Sequence, residues 1–178
     1  MRSRAAHRVR QFMRTIVAVR RPVDDGYVWA RLRGLEAGQA LFELFKTMPL
    51  PEQHHGIRVC QALEAAGFDA PELLAAALLH DVGKRVAPLS VWERVVVVLV
   101  EWVAPWLAAR WGRCPSETPA GVAGWRRGFV VRRCHARWSA ELAAAAGAPP
   151  RVVALIRWHD TPEPEDPWLA ALQEADEI

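Results

Sequence analysis

Apolar residues recur every three or four positions along most of the chain, and runs that alternate apolar with polar residues are scarce. That period lines one face of a helix rather than one face of a strand, so it predicts an all-α protein of about six to eight helices. The expected helices span roughly 4–20, 35–48, 51–66, 71–83, 90–111, 135–146, 150–159 and 166–177. Pro49 and Pro51 part the second from the third, and Gly67 stops the third. Asp69 can cap the next helix, Pro71 lies just inside it, and Gly83 closes it. Gly112, Pro115, Pro119, Gly121 and Gly124 predict a loop over about 112–128, between two halves of one domain.

Two stretches depart from simple amphipathicity. Leu73 to Leu79 is apolar on every side, so its helix must be nearly surrounded by core, and His80-Asp81 follow it directly. Ser90 to Trp111 holds an unbroken apolar run from Val95 to Val100 and tryptophans at 92, 102, 106 and 111. Glu93, Arg94, Glu101 and Pro105 interrupt it, leaving no clean apolar span of about 20 residues, which puts a transmembrane helix last among the readings. Trp92, Val95, Val96, Leu99, Val103 and Trp106 share one helical stripe. We read them as a buried or dimer-forming helix hairpin, ahead of a peripheral membrane contact.

At 178 residues the chain fits one domain, able to bury about 70% of its unfolded surface, and 52% hydrophobic with 24% charged residues is an ordinary globular balance. Lys46 and Lys84 are the only lysines, and a formal net charge of +3 is too small to argue for nucleic acid. Seven arginines crowd residues 1–21 and read as a solvated basic helix, ahead of an anionic-lipid or RNA contact, the RNA version weakened by the lack of the interleaved aromatics of a stacking platform. Cys60, Cys114 and Cys134 are odd in number and lack CxxC spacing, which predicts neither a disulfide nor a thiolate zinc site and suits a reducing, cytoplasmic compartment. Residues 1–21 also lack the apolar stretch and cleavage site of a secretory signal.

The candidate chemistry lies at His55, His80-Asp81, His135, His159 and Asp176. Neutral imidazoles and carboxylates are ligands for first-row metals such as iron, manganese, zinc or nickel. An imidazole and a carboxylate at the end of an all-apolar helix need partners, because burying them unpaired costs several kcal/mol. A metal ion is such a partner.

Three stretches carry a family resemblance. They are His55-Gly-Ile-Arg58-Val59 with Leu78-Leu79-His80-Asp81-Val82-Gly83-Lys84; His135-Ala-Arg-Trp-Ser139 with Leu155-Ile156-Arg157-Trp158-His159; and Leu172-Gln173-Glu174-Ala175-Asp176. In them the chain resembles the HD-domain superfamily of metal-dependent phosphohydrolases, over roughly residues 50–178. The resemblance implies a single-domain helical HD-type bundle over 49–178, with a Trp-rich helical insertion at about 88–128. Residues 1–48 form a basic helical extension packed on it. His55, His80, Asp81 and Asp176 would bind one divalent ion, and His135 and His159 a second, with Asp81 bridging. The ions would be iron, manganese, zinc, nickel or cobalt. Asp81 and Lys84 would be the catalytic pair, with Lys84 reaching phosphate and Arg58 either reaching it too or pairing with a carboxylate.

His54 reads as a surface residue, His7 as part of the basic arm, and Asp160 as a helix terminus ahead of a supporting place behind the metal ligands. The implied activity is hydrolysis of a phosphoester or phosphoanhydride by a metal-activated hydroxide. After His159 the chain reads Asp-Thr-Pro-Glu-Pro rather than the Gly-Tyr-Pro of cyclic-di-GMP phosphodiesterases, and Val82-Gly83-Lys84 lacks the acidic pair of stringent-response hydrolases. The layout is similar to that of dinucleoside-polyphosphate hydrolases, so a small nucleotide is the expected substrate. A di-iron oxygenase of the same superfamily, and a non-catalytic scaffold serving as a sensor or as a membrane- or partner-binding module, are the alternatives.

Overall fold

The computed structural model describes residues 22–87, 89–114, 124–162 and 164–177. Among them nine α-helices form and no strand does, as the periodicity predicts. In chain order these are α1 (Asp25–Leu32), α2 (Gly38–Lys46), α3 (Leu50–Ala65), α4 (Pro71–Leu79), α5 (Val91–Val103), α6 (Pro105–Trp111), α7 (Arg127–Ala145), α8 (Pro150–Trp158) and α9 (Pro167–Asp176). Short 3-10 turns at Val82–Val86 and Gly124–Arg126 lead towards α5 and into α7. The helix expected over 4–20 lies outside the described residues, and so does His7.

Every residue from Leu73 to Leu79 is buried, because α4 lies against α1, α3, α8 and α9 and has no side to spare for solvent. Pro71 sits in its first turn, where the missing N–H would have had no partner. The cap position falls on Ala70, which makes no side-chain cap, so Asp69 stands one residue too early for the capping role expected of it. Nor does Gly83 close the helix: α4 ends at Leu79, His80 is its C-terminal cap residue, and the chain tightens into the 3-10 turn.

Val28, Leu32, Leu41 and Phe45 join the same core from α1 and α2. The periodicity did not disclose α1, which is only eight residues long. Asp24 caps it by accepting from the Tyr27 N–H at 2.9 Å.

Helix α7 starts at Arg127 rather than near 135, so the last two residues of the stretch expected as loop, Arg127 and Gly128, belong to it. Gly128 lies inside the helix because a Cβ there would come 2.7 Å from Val97 Cγ2. The span expected as one helix over 90–111 is a hairpin, broken at Ala104-Pro105. Val97, Ala108 and Phe129 form a small core between the hairpin and α7.

Of the two expectations for the tryptophan stripe, burial within the chain does not hold: Trp92, Val96, Leu99, Val103 and Trp106 are exposed, and Val95 is half-buried. Instead the charged residues of α5 point inward, pairing Glu93 with Arg127, Arg94 with Glu52 and Glu101 with Arg132. Among the described residues no helix is long and apolar enough to cross a membrane.

Cys114 and Cys134 form a disulfide, correcting the expectation of none, while Cys60 remains a free, buried thiol. The partners sit at the end of the hairpin and within α7, and meet only because those elements pack together. The cysteine spacing therefore carries no argument for a reducing compartment.

Candidate metal centre

Five elements converge at the end of α4. His80 and Asp81 leave α4 itself, His55 comes from α3, His135 from α7, His159 from the C-terminal end of α8 and Asp176 from α9. Two glycines let the elements close. At Gly56 a Cβ would stand 2.9 Å from the Leu78 carbonyl oxygen, so α3 can press on α4 beside His55. At Gly83 a Cβ would stand 2.4 Å from the His135 carbonyl oxygen, and the Gly83 N–H donates to Ser139 Oγ at 2.7 Å. That contact seats the 3-10 turn on α7 and brings Asp81 to His135.

The donor atoms fall into two groups that share Asp81. Asp81 Oδ2 lies 3.8 Å from His55 Nε2 and 3.5 Å from His80 Nε2. Asp176 Oδ1 closes this side, 2.6 Å from His55 Nε2 and 3.2 Å from His80 Nε2. The other oxygen, Asp81 Oδ1, is 3.6 Å from His135 Nε2, which in turn is 3.2 Å from His159 Nε2. The groups His55, His80, Asp81 and Asp81, His135, His159 each have the spacing to hold a metal ion. All six residues expected as ligands therefore meet in one place.

The chemistry of the donor set fits metal ions. His80, His135 and His159 each set Nδ1 against the carbonyl oxygen three residues earlier, Ala77 at 2.9 Å, Arg132 at 3.0 Å and Ile156 at 2.7 Å. A ring whose Nδ1–H is donated to the backbone turns Nε2 to the centre as a lone-pair donor, with its orientation fixed. The buried His80 Nε2 makes no well-formed hydrogen bond among the described residues and faces the carboxylates of Asp81 and Asp176, a donor set that a cation would join.

Charge is concentrated here. Burial would push the His80 imidazole down, but Asp81 and Asp176 outweigh it and hold its pKa up at about 9. Burial, followed by the Lys84 ammonium, pushes His135 down to about 4. Burial and then His80 lower His159. Asp81 and Asp176 resist the upward push of burial and stay below the usual carboxylate range, Asp81 through Lys84 and His80, Asp176 through His80 and His55.

Lys84 donates to Asp81 Oδ2 at 2.5 Å and lies 3.7 Å from Glu52, so it is an ion-paired cation and not merely a solvated one at a helix end. Arg58 is half-buried one turn beyond His55. His54 is half-buried too, rather than on the surface.

Two carboxylates stand closer to the chemistry than their sequence context suggests. Asp160 is 3.3 Å from His135 Nε2 and 3.6 Å from His159 Nε2, so it faces the second group rather than only ending a helix. Its position directly after His159 was the one signal. Glu52, three residues before His55 on α3, is buried between Lys84 and Arg94, with Arg94 at 3.0 Å. A glutamate in the first turn of a helix looks like an ordinary dipole partner, which hid it.

No family model matches this chain, and neither a curated protein nor a solved structure matches it.

Proposed function

We propose that the chain is a metal-dependent phosphohydrolase of the HD type, cleaving a phosphoester or phosphoanhydride bond of a small nucleotide. The observation that carries this reading is the position of Asp81, one oxygen towards His55 and His80 and the other towards His135. A carboxylate so placed suits a bridge between two ions. The order of the motifs along the chain, His…His-Asp…His…His…Asp, supports the family. When bound, a metal pair supplies a water activated near neutral pH and neutralises phosphate oxygens as charge moves to the leaving group.

The residues would divide the remaining work. His55, His80 and Asp176 would hold one ion, His135 and His159 the other, with Asp81 shared. The backbone carbonyls behind His80, His135 and His159 keep each ring from turning, so the donors do not have to be reorganised when substrate arrives. Lys84, with its side chain 31% exposed, pairs through its ammonium with Asp81, which places it beside the candidate centre, where it would receive a phosphoryl oxygen. Glu52 anchors Lys84 from behind and limits its freedom.

Metal analysis and phosphate release from a panel of mononucleotides and dinucleoside polyphosphates test the reading. We expect close to two ions per chain, about one in His159→Ala and almost none in Asp81→Ala, with turnover in the last falling about a thousandfold. A metal-free protein, inactive with every added divalent ion, would overturn it. Oxygen consumption with a mixed-valent iron signal and no phosphate release would replace hydrolysis by the oxygenase alternative.

A further inference from the structure

The hairpin of α5 and α6 is amphipathic in the wrong sense for a surface element. Glu93, Arg94 and Glu101 are the only charged residues of α5, and each turns towards the body of the protein to pair with Arg127, Glu52 or Arg132. The opposite face is apolar and open. Trp92 is 76% exposed, Trp102 80%, Val103 73% and Trp106 68%, with Val96 and Leu99 between them. Such a contiguous apolar patch is uncommon on a monomer's surface and marks a contact. The face is formed by α5 and the corner at Ala104-Pro105.

Charge indicates what covers it. Residues 84–133, which comprise the hairpin and its two flanks, carry nine Lys/Arg against three Glu. Residues 1–21 add seven Arg and no carboxylate. The rest of the chain carries seven Lys/Arg against seventeen Asp/Glu. A net charge of only +3 thus conceals a strong separation, with the positive part on the segment that bears the tryptophans. Arg110 and Arg113 are exposed on the hairpin itself.

Two copies meeting through this face would set like charge on like charge, which costs affinity. An anionic bilayer offers the complement to both features: headgroup phosphates for the arginines, and the acyl boundary for indoles and aliphatic side chains.

We propose that the outer face of the α5–α6 hairpin docks on the surface of a membrane containing anionic phospholipid, with Trp102 and Trp106 entering the headgroup boundary and the exposed Arg110 and Arg113 on the phosphates. The helix lies along the surface and does not span it. Arg94 ties this hairpin to Glu52, which also pairs with Lys84, so the docked face is linked by ion pairs to the metal centre.

Sedimentation of the full chain with phosphatidylcholine–phosphatidylglycerol vesicles tests this, beside pure phosphatidylcholine vesicles. Binding is expected only to the anionic vesicles, weaker at high salt, with tryptophan emission quenched by brominated lipid. Trp102→Ser/Trp106→Ser is expected to weaken it about tenfold or more while leaving the circular dichroism spectrum and metal content unchanged. No binding of the wild-type chain to anionic vesicles would overturn the proposal. So would binding by the basic arm alone, seen as equal affinity of a folded double variant. A concentration-dependent dimer, abolished by the same substitutions in a chain that ignores lipid, would give the face to a second copy instead.

Discussion

Cys60 shows how one burial changes one group's chemistry. It lies on α3, fully buried against the cluster in which Tyr27 donates to Glu64 at 2.7 Å and Arg31 pairs with the same carboxylate. Burial first, and then the Glu64 charge, push its thiol up to about 11. An unfolded cysteine ionises near about 8.5, so the native state keeps a proton that the unfolded state loses between about pH 8.5 and pH 11. Its contribution is fully present below that window and is lost as pH rises through it. The loss amounts to roughly 3 kcal/mol. Tyr27, raised chiefly by its own burial, extends the decline at still higher pH. Denaturant midpoints should therefore fall across this alkaline range, and Cys60→Ala should flatten the slope. Iodoacetamide at about pH 8 should label Cys60 slowly until denaturant is added, because the thiolate is scarce and covered. Rapid labelling of the native chain would contradict the buried placement.

The placing of elements rests on close backbone approach as much as on apolar burial. Gly83→Ala is the sharpest probe, since the new methyl would meet backbone atoms of α7, His135 O at 2.4 Å and Ser139 N at 2.7 Å, which cannot swing aside. We expect a loss of about 3 kcal/mol or more, together with loss of the ion that Asp81, His135 and His159 would hold. Gly34→Ala is the control: nothing lies within 4 Å of its added methyl, and the change should stay within about 0.5 kcal/mol. Thermal melts and metal content read both variants. Equal behaviour of the two would show that the turn and α7 do not pack as described.

The whole molecule joins a bundle around α4 to a hairpin held by the small core of Val97, Ala108 and Phe129, by ion pairs and by the Cys114–Cys134 bridge. That bridge closes a sequence separation of 20 residues, a loop for which cross-linking contributes about 3 kcal/mol. Reduction should lower the melting midpoint by roughly 6–12 °C, and Cys114→Ser should melt at the reduced value with or without reductant. Three free thiols in the unreduced chain would contradict the pairing.

The helical class and most of the helices were legible in the sequence because the period of 3.6 residues is a local fact, whereas the order of the six candidate ligands came from the resemblance of their motifs to the HD-domain superfamily. The convergence of His55, His135, His159 and Asp176 on the His80-Asp81 pair depends on contacts at Gly56 and Gly83, and the parts of Asp160 and Glu52 became visible only with it. The same limit hid the disulfide and the outward turn of the tryptophan stripe. Periodicity finds the apolar face of a helix, but only the competing pull of ion pairs and packing decides whether that face points inward or out.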